Sequence, residues 1–239
     1  MNRLALMIIR NFWRVPPAYI KLCRYAKHRD KYSIDEMYRH IQYIFGRAIK
    51  SGNIDFQVHG VENIPKQDGF LMYSNHQGLF DILAITVACD RPWGAVLKQE
   101  LYKIPFMTQI VDCTYSYPMD RDDLKQSLEV IQAVNKQVQK GRNYLIFPEG
   151  TRSKMGNKML EFHSGSFKCA TKAKCPILPI ALVDCFKVLD QKGSKQVTVQ
   201  VHFLEPISYE EYKGMKTVEL AELVHTRIHD AVNKYSENS

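Results

Sequence analysis

The chain has 239 residues, 45% of them hydrophobic and 24% charged. That balance belongs to a folded globular protein and excludes a disordered chain. At this length a single α/β core with an appendage is expected.

The net charge of +8 is concentrated: residues 1–50 hold eleven Lys/Arg against three Asp/Glu, which accounts for the whole excess. A basic arm on a neutral body seeks a polyanionic surface, either nucleic acid or anionic lipid. No nucleic-acid recognition motif is visible, so an anionic membrane surface is the expected partner and nucleic acid is not. The six cysteines (Cys23, Cys89, Cys113, Cys169, Cys175, Cys185) show no paired short spacing. They read as reduced, buried thiols of a cytosolic protein, not as a disulfide framework or a metal site.

Residues 3–14 open the chain as an amphipathic helix. At about 100° per residue, Arg3, Arg10 and Arg14 share a narrow arc. Leu4, Leu6, Ile8, Ile9, Phe12 and Trp13 spread around the rest. The pattern suits a helix lying in a lipid interface, although arginines that face water while the helices cover the core would give the same wheel. "LALMII" is too short for a spanning helix and makes a poor signal peptide. Pro16 and Pro17 break the first helix. Ser33 with Glu36 forms a capping box. It starts a helix in which Ile34, Met37, Tyr38, Ile41, Phe45 and Ala48 recur at helical spacing, and Gly52 closes it. Residues 1–52 are therefore expected to form a basic, amphipathic, membrane-associating element, and 53–239 the α/β domain.

Within that body "IDFQV", "GFLMYS", "GAVLK", "YLIF", "PILPIAL" and "VTVQVHF" read as strands. "DILAITVAC" is nearly all apolar and reads as a buried helix. Residues 121–140 form a further helix, capped by Asp120 or Asp122 and ended by Gly141. A closing helix turns Leu220, Leu223, Val224, Ile228 and Val232 inward. The alternation implies a single mixed α/β sheet flanked by helices.

Two strands end in polar loops of unusual composition. "LMYS" leads to "NHQGLFD" and "YLIF" leads to "PEGTRS". In α/β folds sites gather beyond the carboxyl ends of strands. His76 is suited to general-base work, more so if Asp81 fixes its tautomer. Five residues apart on a continuous helix, the two would lie about 140° apart, so they meet only if the chain turns at Gly78. The alternative makes Asp81 a plain N-cap and His76 a solvated loop residue. In "FPEGTRS", Gly150 lets backbone approach a ligand, Thr151 supplies a hydroxyl, Arg152 offers a planar fork for phosphate, and Glu149 can orient donors or a substrate hydroxyl. His225 and His229 stand four apart but lack a third ligand, so no metal is expected.

"NHQGLFD" followed some seventy residues later by "FPEGTRS" resembles the glycerolipid acyltransferase family, its bacterial 1-acyl-sn-glycerol-3-phosphate (lysophosphatidate) acyltransferases most of all. "KQELYKIPF" with "MDRDD", "FHSGSFKCA" and "CPILPIAL" follow in the family's order. The resemblance implies that His76 is the general base that deprotonates the acceptor hydroxyl and that Asp81 orients it. It implies an acceptor loop of Glu149, Gly150, Thr151 and Arg152, with Arg152 on the glycerol phosphate, Lys98 as a further phosphate ligand and Arg121 as the arginine of the second block. It also implies a lysophospholipid acceptor, an acyl-CoA or acyl-carrier-protein donor with no other cofactor, and phosphatidate as product. The protein would sit peripherally at the cytoplasmic face of the cell membrane. Lys168 and Lys172 lie where a carrier or phosphate could be met. An acyltransferase for glycerol 3-phosphate or a lyso-aminolipid, and a non-catalytic lipid-binding protein, are the alternatives.

Overall fold

A computed structural model describes residues 2–120 and 123–237. Three helices come first: α1 (Arg3–Arg10), α2 (Val15–Lys27) and α3 (Ile34–Ser51). Then follow β1 (Ile54–His59), β2 (Leu71–Ser74), α4 (Asp81–Ala88), β3 (Trp93–Lys98), α5 (Met107–Thr114), β4 (Tyr117–Met119), α6 (Leu124–Gln139) and β5 (Asn143–Ile146). The chain closes with α7 (Lys168–Ala173), β6 (Ile177–Val183), α8 (Phe186–Leu189), β7 (Val197–Phe203), α9 (Tyr209–Tyr212) and α10 (Thr217–Ser236). The seven strands form one sheet in the order β1-β7-β6-β2-β5-β3-β4. Every neighbouring pair is parallel except β6 with β7. This is the expected mixed sheet flanked by helices.

Strands β2, β5 and β6 are buried along their whole length, because both faces of the sheet are covered; hence their continuous apolar runs. Successive side chains still alternate. Leu71 and Tyr73 pack with Val134 and Val138 of α6 and Val224 and Ile228 of α10. Phe70 and Met72 pack on the other face with Tyr38 of α3 and Ala84 and Ile85 of α4. Helix α4 is apolar all round because it is sandwiched: Ile82, Leu83 and Val87 also touch a second cluster built from Leu22, Met37, Ile41, Phe45 and Ile110. Five of the six cysteines are buried, and all six are free thiols.

The structure corrects several expectations. Strand β4 lies in the tyrosine-rich "TYSYP" segment, which carries no strand pattern. It is a three-residue edge strand, where Pro118 can forgo its missing N–H. Helix α6 is capped by Asp123, whose side chain accepts from the backbone N–H groups of Lys125 and Gln126. Asp120 does not cap it, and Asp122 lies outside the described residues. At α3 only half of the capping box forms. Ser33 Oγ accepts from Glu36 N at 3.1 Å, but the Glu36 carboxylate accepts from the Tyr25 hydroxyl at 2.7 Å, tying α2 to α3.

The largest correction concerns α1. Of its arginine stripe, Arg3 turns into the protein, Arg10 is tied to the protein while still exposed, and Arg14, beyond the helix, is exposed. Arg3 is buried and donates to four backbone carbonyls: Gly52 (3.1 Å), Lys187 (2.7 Å), Val188 (3.0 Å) and Lys195. Arg10 donates to Ser51 O at 2.9 Å and Asn53 Oδ1 at 2.8 Å. These carbonyls sit where α3, α8 and the loop before β7 end, and a guanidinium can serve several acceptors at once. The face left outside is apolar: Leu4, Ile8, Ile9, Phe12 and Trp13 are exposed, Trp13 to 85%. No helix among the described residues is long and apolar enough to cross a membrane.

Candidate active site

The parallel strands β2, β5 and β3 end on one edge of the sheet, in register: Tyr73 is paired with Ile146, and Leu145 with Ala95. The loop after β2 carries His76, the loop after β5 carries Glu149 to Arg152, and Lys98 ends β3. Asn75 fixes the first loop. Its side-chain amide, buried at the end of β2, donates to Leu182 O at 2.9 Å and accepts from Leu182 N at 2.8 Å. It thus replaces a ladder step between β2 and β6.

His76 and Asp81 meet. Nδ1 of His76 lies 2.7 Å from Asp81 Oδ2. The same oxygen accepts from the backbone N–H groups of Gln77 (2.7 Å) and Gly78 (3.0 Å). Asp81 is therefore not the N-cap of α4 but its first residue; its carboxylate caps the turn that bends back to the histidine. An ionised acceptor at Nδ1 places the imidazole proton there and leaves the Nε2 lone pair free. The ring lies flat on Phe147, with centroids 4.0 Å apart. Burial pushes the Asp81 carboxyl above its ordinary value, against the lowering influence of His76 and the two amides.

The two loops clamp each other through the main chain. His76 N donates to Glu149 Oε1 at 2.8 Å, Leu160 N donates to Glu149 Oε2 at 3.1 Å, and Ser153 N donates to His76 O at 2.9 Å. Glu149 is buried, and burial pushes its pKa up to about 7. Both of its oxygens accept from backbone amides, so the carboxylate orients donors of the two loops, one of the two roles the sequence offered it. Gly150 has φ +71° and stands against the ring of His163, a conformation and a closeness that disfavour any side chain. Thr151 is exposed beside it. Gln77, also buried, donates to Asn157 Oδ1 at 2.7 Å and accepts from Cys185 N at 2.8 Å, holding the turn from behind.

Arg152 points back to the histidine turn. Its Nη1 lies 3.1 Å from Asp190 Oδ1, and Asp190 Oδ2 accepts from Leu79 N at 3.2 Å. Lys98 is exposed and pairs with Glu100 at 2.9 Å. It stands two strand spacings, about 10 Å, from the end of β2. Arg121 lies outside the described residues. Lys168 and Lys172 are exposed on α7. His225 packs edge-on against Phe162, and His229 stacks beside it.

Sequence reading gave no role to Asn75, Gln77 or Phe147, although all three stand in or beside the two motifs, nor to Asp190, which stands outside both. A buried Asn at a strand end is a recognisable signal for a backbone bridge. Asp190, in "FKVLDQK", carries no local signal at all.

The fold and the site define an α/β protein with a carboxylate-held imidazole and an arginine-bearing loop at the carboxyl edge of its sheet. A family model described as "Acyltransferase" matches residues 55–183, more than half of the chain, and the chain belongs to that family. It is 28% identical over 185 residues to the 1-acyl-sn-glycerol-3-phosphate acyltransferase of Saccharomyces cerevisiae, covering 76% of this chain and 61% of that protein. It is 33% identical over 122 residues to the Helicobacter pylori protein of the same name, covering 51% and 52%. The alignments thus span about half to three-fifths of the length of these relatives. The crystal structure of the 1-acyl-sn-glycerophosphate (LPA) acyltransferase from Thermotoga maritima shares the fold, with a TM-score of 0.80 over 98% of this chain and 95% of that one, at 23% identity.

Proposed function

We propose that the chain transfers a fatty acyl group from an acyl thioester to the sn-2 hydroxyl of 1-acylglycerol 3-phosphate, giving phosphatidate. The observation that carries this reading is the His76–Asp81 contact, which leaves Nε2 free as a base. Nε2 takes the proton of the acceptor hydroxyl as its oxygen attacks the thioester carbonyl. Asp81 holds the imidazolium that forms. The tetrahedral adduct collapses, the C–S bond breaks, and the imidazolium returns its proton to the departing thiolate. An ester and a free thiol, on coenzyme A or an acyl-carrier protein, are the products. No covalent acyl-enzyme is needed. Arg152 grips the acceptor phosphate, with Lys98 and Arg121 supplying further positive charge, while Gly150 and Thr151 border the bound headgroup. The names of the relatives support this acceptor class.

The reading includes a peripheral location on the cytoplasmic face of the membrane. The exposed apolar face of α1 supports it, because Trp and Phe prefer the headgroup level. Arg3 is buried and Arg10 is tied to the end of α3, so neither is freely available to anionic lipid. Arg14, Lys21 and Arg39 line an open cleft of about 780 Å³ between α2 and α3, together with Trp13, Tyr25 and Tyr43.

The test is a transfer assay with lysophosphatidate, glycerol 3-phosphate and a lyso-aminolipid against both donor types, read by mass spectrometry. Phosphatidate should form, and His76→Ala should abolish it while leaving the melting temperature and vesicle association intact. Normal turnover by that variant would refute the mechanism; preference for another acceptor would refute the substrate.

A further inference from the structure

A single carboxylate outside both motifs touches each of them. Asp190 caps the C-terminal end of the short helix α8, beyond the 55–183 family match. Its Oδ1 receives Arg152 Nη1 at 3.1 Å, and its Oδ2 receives Leu79 N at 3.2 Å. A Cβ on Gly78 would collide with that same Oδ2, so the turn between His76 and Asp81 is packed directly against it. Asp190 is Arg152's only hydrogen-bond partner among the described residues.

We propose that Asp190 is a positioning residue: it fixes the Arg152 guanidinium relative to the His76 turn, and so sets where an acceptor's phosphate sits when its hydroxyl is at Nε2. The role rests on the acceptor reading given above. Both side chains are about one-third exposed, at 33% and 32%. At that exposure an ion pair adds little to stability; what it fixes is direction. A guanidinium has five N–H donors in a rigid fork. The contact with Asp190 uses one donor and aims the rest, which leaves a bidentate grip for a phosphate. Binding energy from a remote phosphate accelerates the reaction only if the reacting hydroxyl is held in register with the base. Asp190 supplies that register because one rigid carboxylate contacts both the grip and the turn.

The experiment is a double-mutant cycle of Asp190→Ala and Arg152→Gln, with kcat and KM measured for lysophosphatidate and for the phosphate-free 1-acylglycerol, and melting temperature followed throughout. Asp190→Ala should lower kcat/KM on lysophosphatidate about 10- to 100-fold, the cost of a misplacement near 1 Å, with a raised KM. The ratio of lysophosphatidate to 1-acylglycerol turnover should fall by the same factor. In the Arg152→Gln background the second substitution should cost nothing further. If the alanine variant melts early, the isosteric Asp190→Asn keeps one acceptor and should show the same acceptor-selective loss. Additive losses, equal losses on both acceptors, or an unchanged kcat/KM would overturn the role. A lowered KM would also overturn it, since the carboxylate would then only compete with phosphate. Absence of lysophosphatidate turnover by the unmutated protein would instead overturn the acceptor reading itself, together with this role.

Discussion

Asp81→Asn separates the two things this carboxylate does. Its Oδ2 accepts three hydrogen bonds, from His76 Nδ1, Gln77 N and Gly78 N, while Oδ1 is buried without a partner among the described residues. In the asparagine variant the two backbone donors pin the amide oxygen in the Oδ2 position. Nδ1 of His76 then keeps an acceptor and the imidazole keeps its tautomer. What disappears is the negative charge beside the imidazole, which the proposed mechanism uses to hold the proton taken from the acceptor. Turnover should drop by about 10²- to 10⁴-fold, the upper figure being that of a triad whose Asp→Asn change also reverses the tautomer. Removing a buried charge stabilises, whereas the amide N–H₂ now buried in the Oδ1 position without an acceptor among the described residues costs about 1–3 kcal/mol, so the net change in stability should be small. The pH dependence carries the sign. A carboxyl held above its ordinary 3.8 binds its proton more tightly in the folded chain. Folding is therefore favoured below the unfolded value, and that increment is lost as pH rises through the folded one; the asparagine variant lacks the decline. Asp81→Ala, by contrast, strands two buried N–H groups at about 1–3 kcal/mol each. Thiol release gives the rates and urea titration gives the stabilities. An Asp81→Asn protein that turns over normally, or that is destabilised as much as Asp81→Ala, would refute the assignment.

Three further outcomes are expected. Glu149→Gln sets an amide N–H₂ against one of the two backbone donors now received by the carboxylate, which costs about 1–3 kcal/mol at neutral pH and is read as a lowered urea midpoint. With Glu149 held at about 7 against an ordinary 4.5, the unmutated protein should lose up to about 2–3 kcal/mol of stability as pH rises through that window, and the glutamine variant should not show this slope. Arg3→Ala leaves four carbonyls without their shared donor; a loss of about 2–4 kcal/mol, with early proteolysis between α1 and α3, is the expected result. Trp13 is 85% exposed and Trp93 only 4%, so a blue shift of emission on adding anionic vesicles should vanish in Trp13→Ala; a shift that persists would remove α1 from the interface.

Six of the seven strands were legible: "LMYS", "YLIF" and "PILPIAL" are the continuous apolar runs that a sheet covered on both faces demands, while "IDFQV" and "VTVQVHF" alternate apolar and polar residues at the period of a strand. Strand β4 was not, since three residues on an edge carry no period and one of them is proline. The His76–Asp81 pairing was legible as a possibility once a turn at Gly78 was allowed. The reason for Gly78 was not legible. It has no left-handed backbone; it is small because Asp190, over a hundred residues later, packs against it. The tether on Arg152 was hidden too, because Asp190 lies 38 residues beyond it and outside both motifs. Glu149 was read as orienting donors or a substrate hydroxyl; that its donors are two amides from different loops was not legible, because the residues after "PEGTRS" that bring Leu160 to it carry no local signal.

The arm shows the limit of a helical wheel most clearly. The wheel grouped Arg3, Arg10 and Arg14 on one stripe with the apolar residues around the rest; the helix ends at Arg10, so Arg14 lies outside it and is exposed. The wheel could not say which stripe faces the body, because that depends on what the body offers. Hydrophobic burial alone would turn Ile8, Ile9 and Phe12 inward, each worth about 1.5–3 kcal/mol if fully buried. The body instead offers unpaired carbonyls at the ends of α3 and α8, and a buried carbonyl without a donor costs about 1–3 kcal/mol. Arg3 alone satisfies acceptors on Gly52, Lys187, Val188 and Lys195. The apolar face is then left unburied by design of the contact, not by failure of packing. The polar seam on one side of α1 and the exposed apolar stripe on the other thus follow from where its arginines find acceptors, and the Trp13→Ala experiment asks whether lipid covers that stripe.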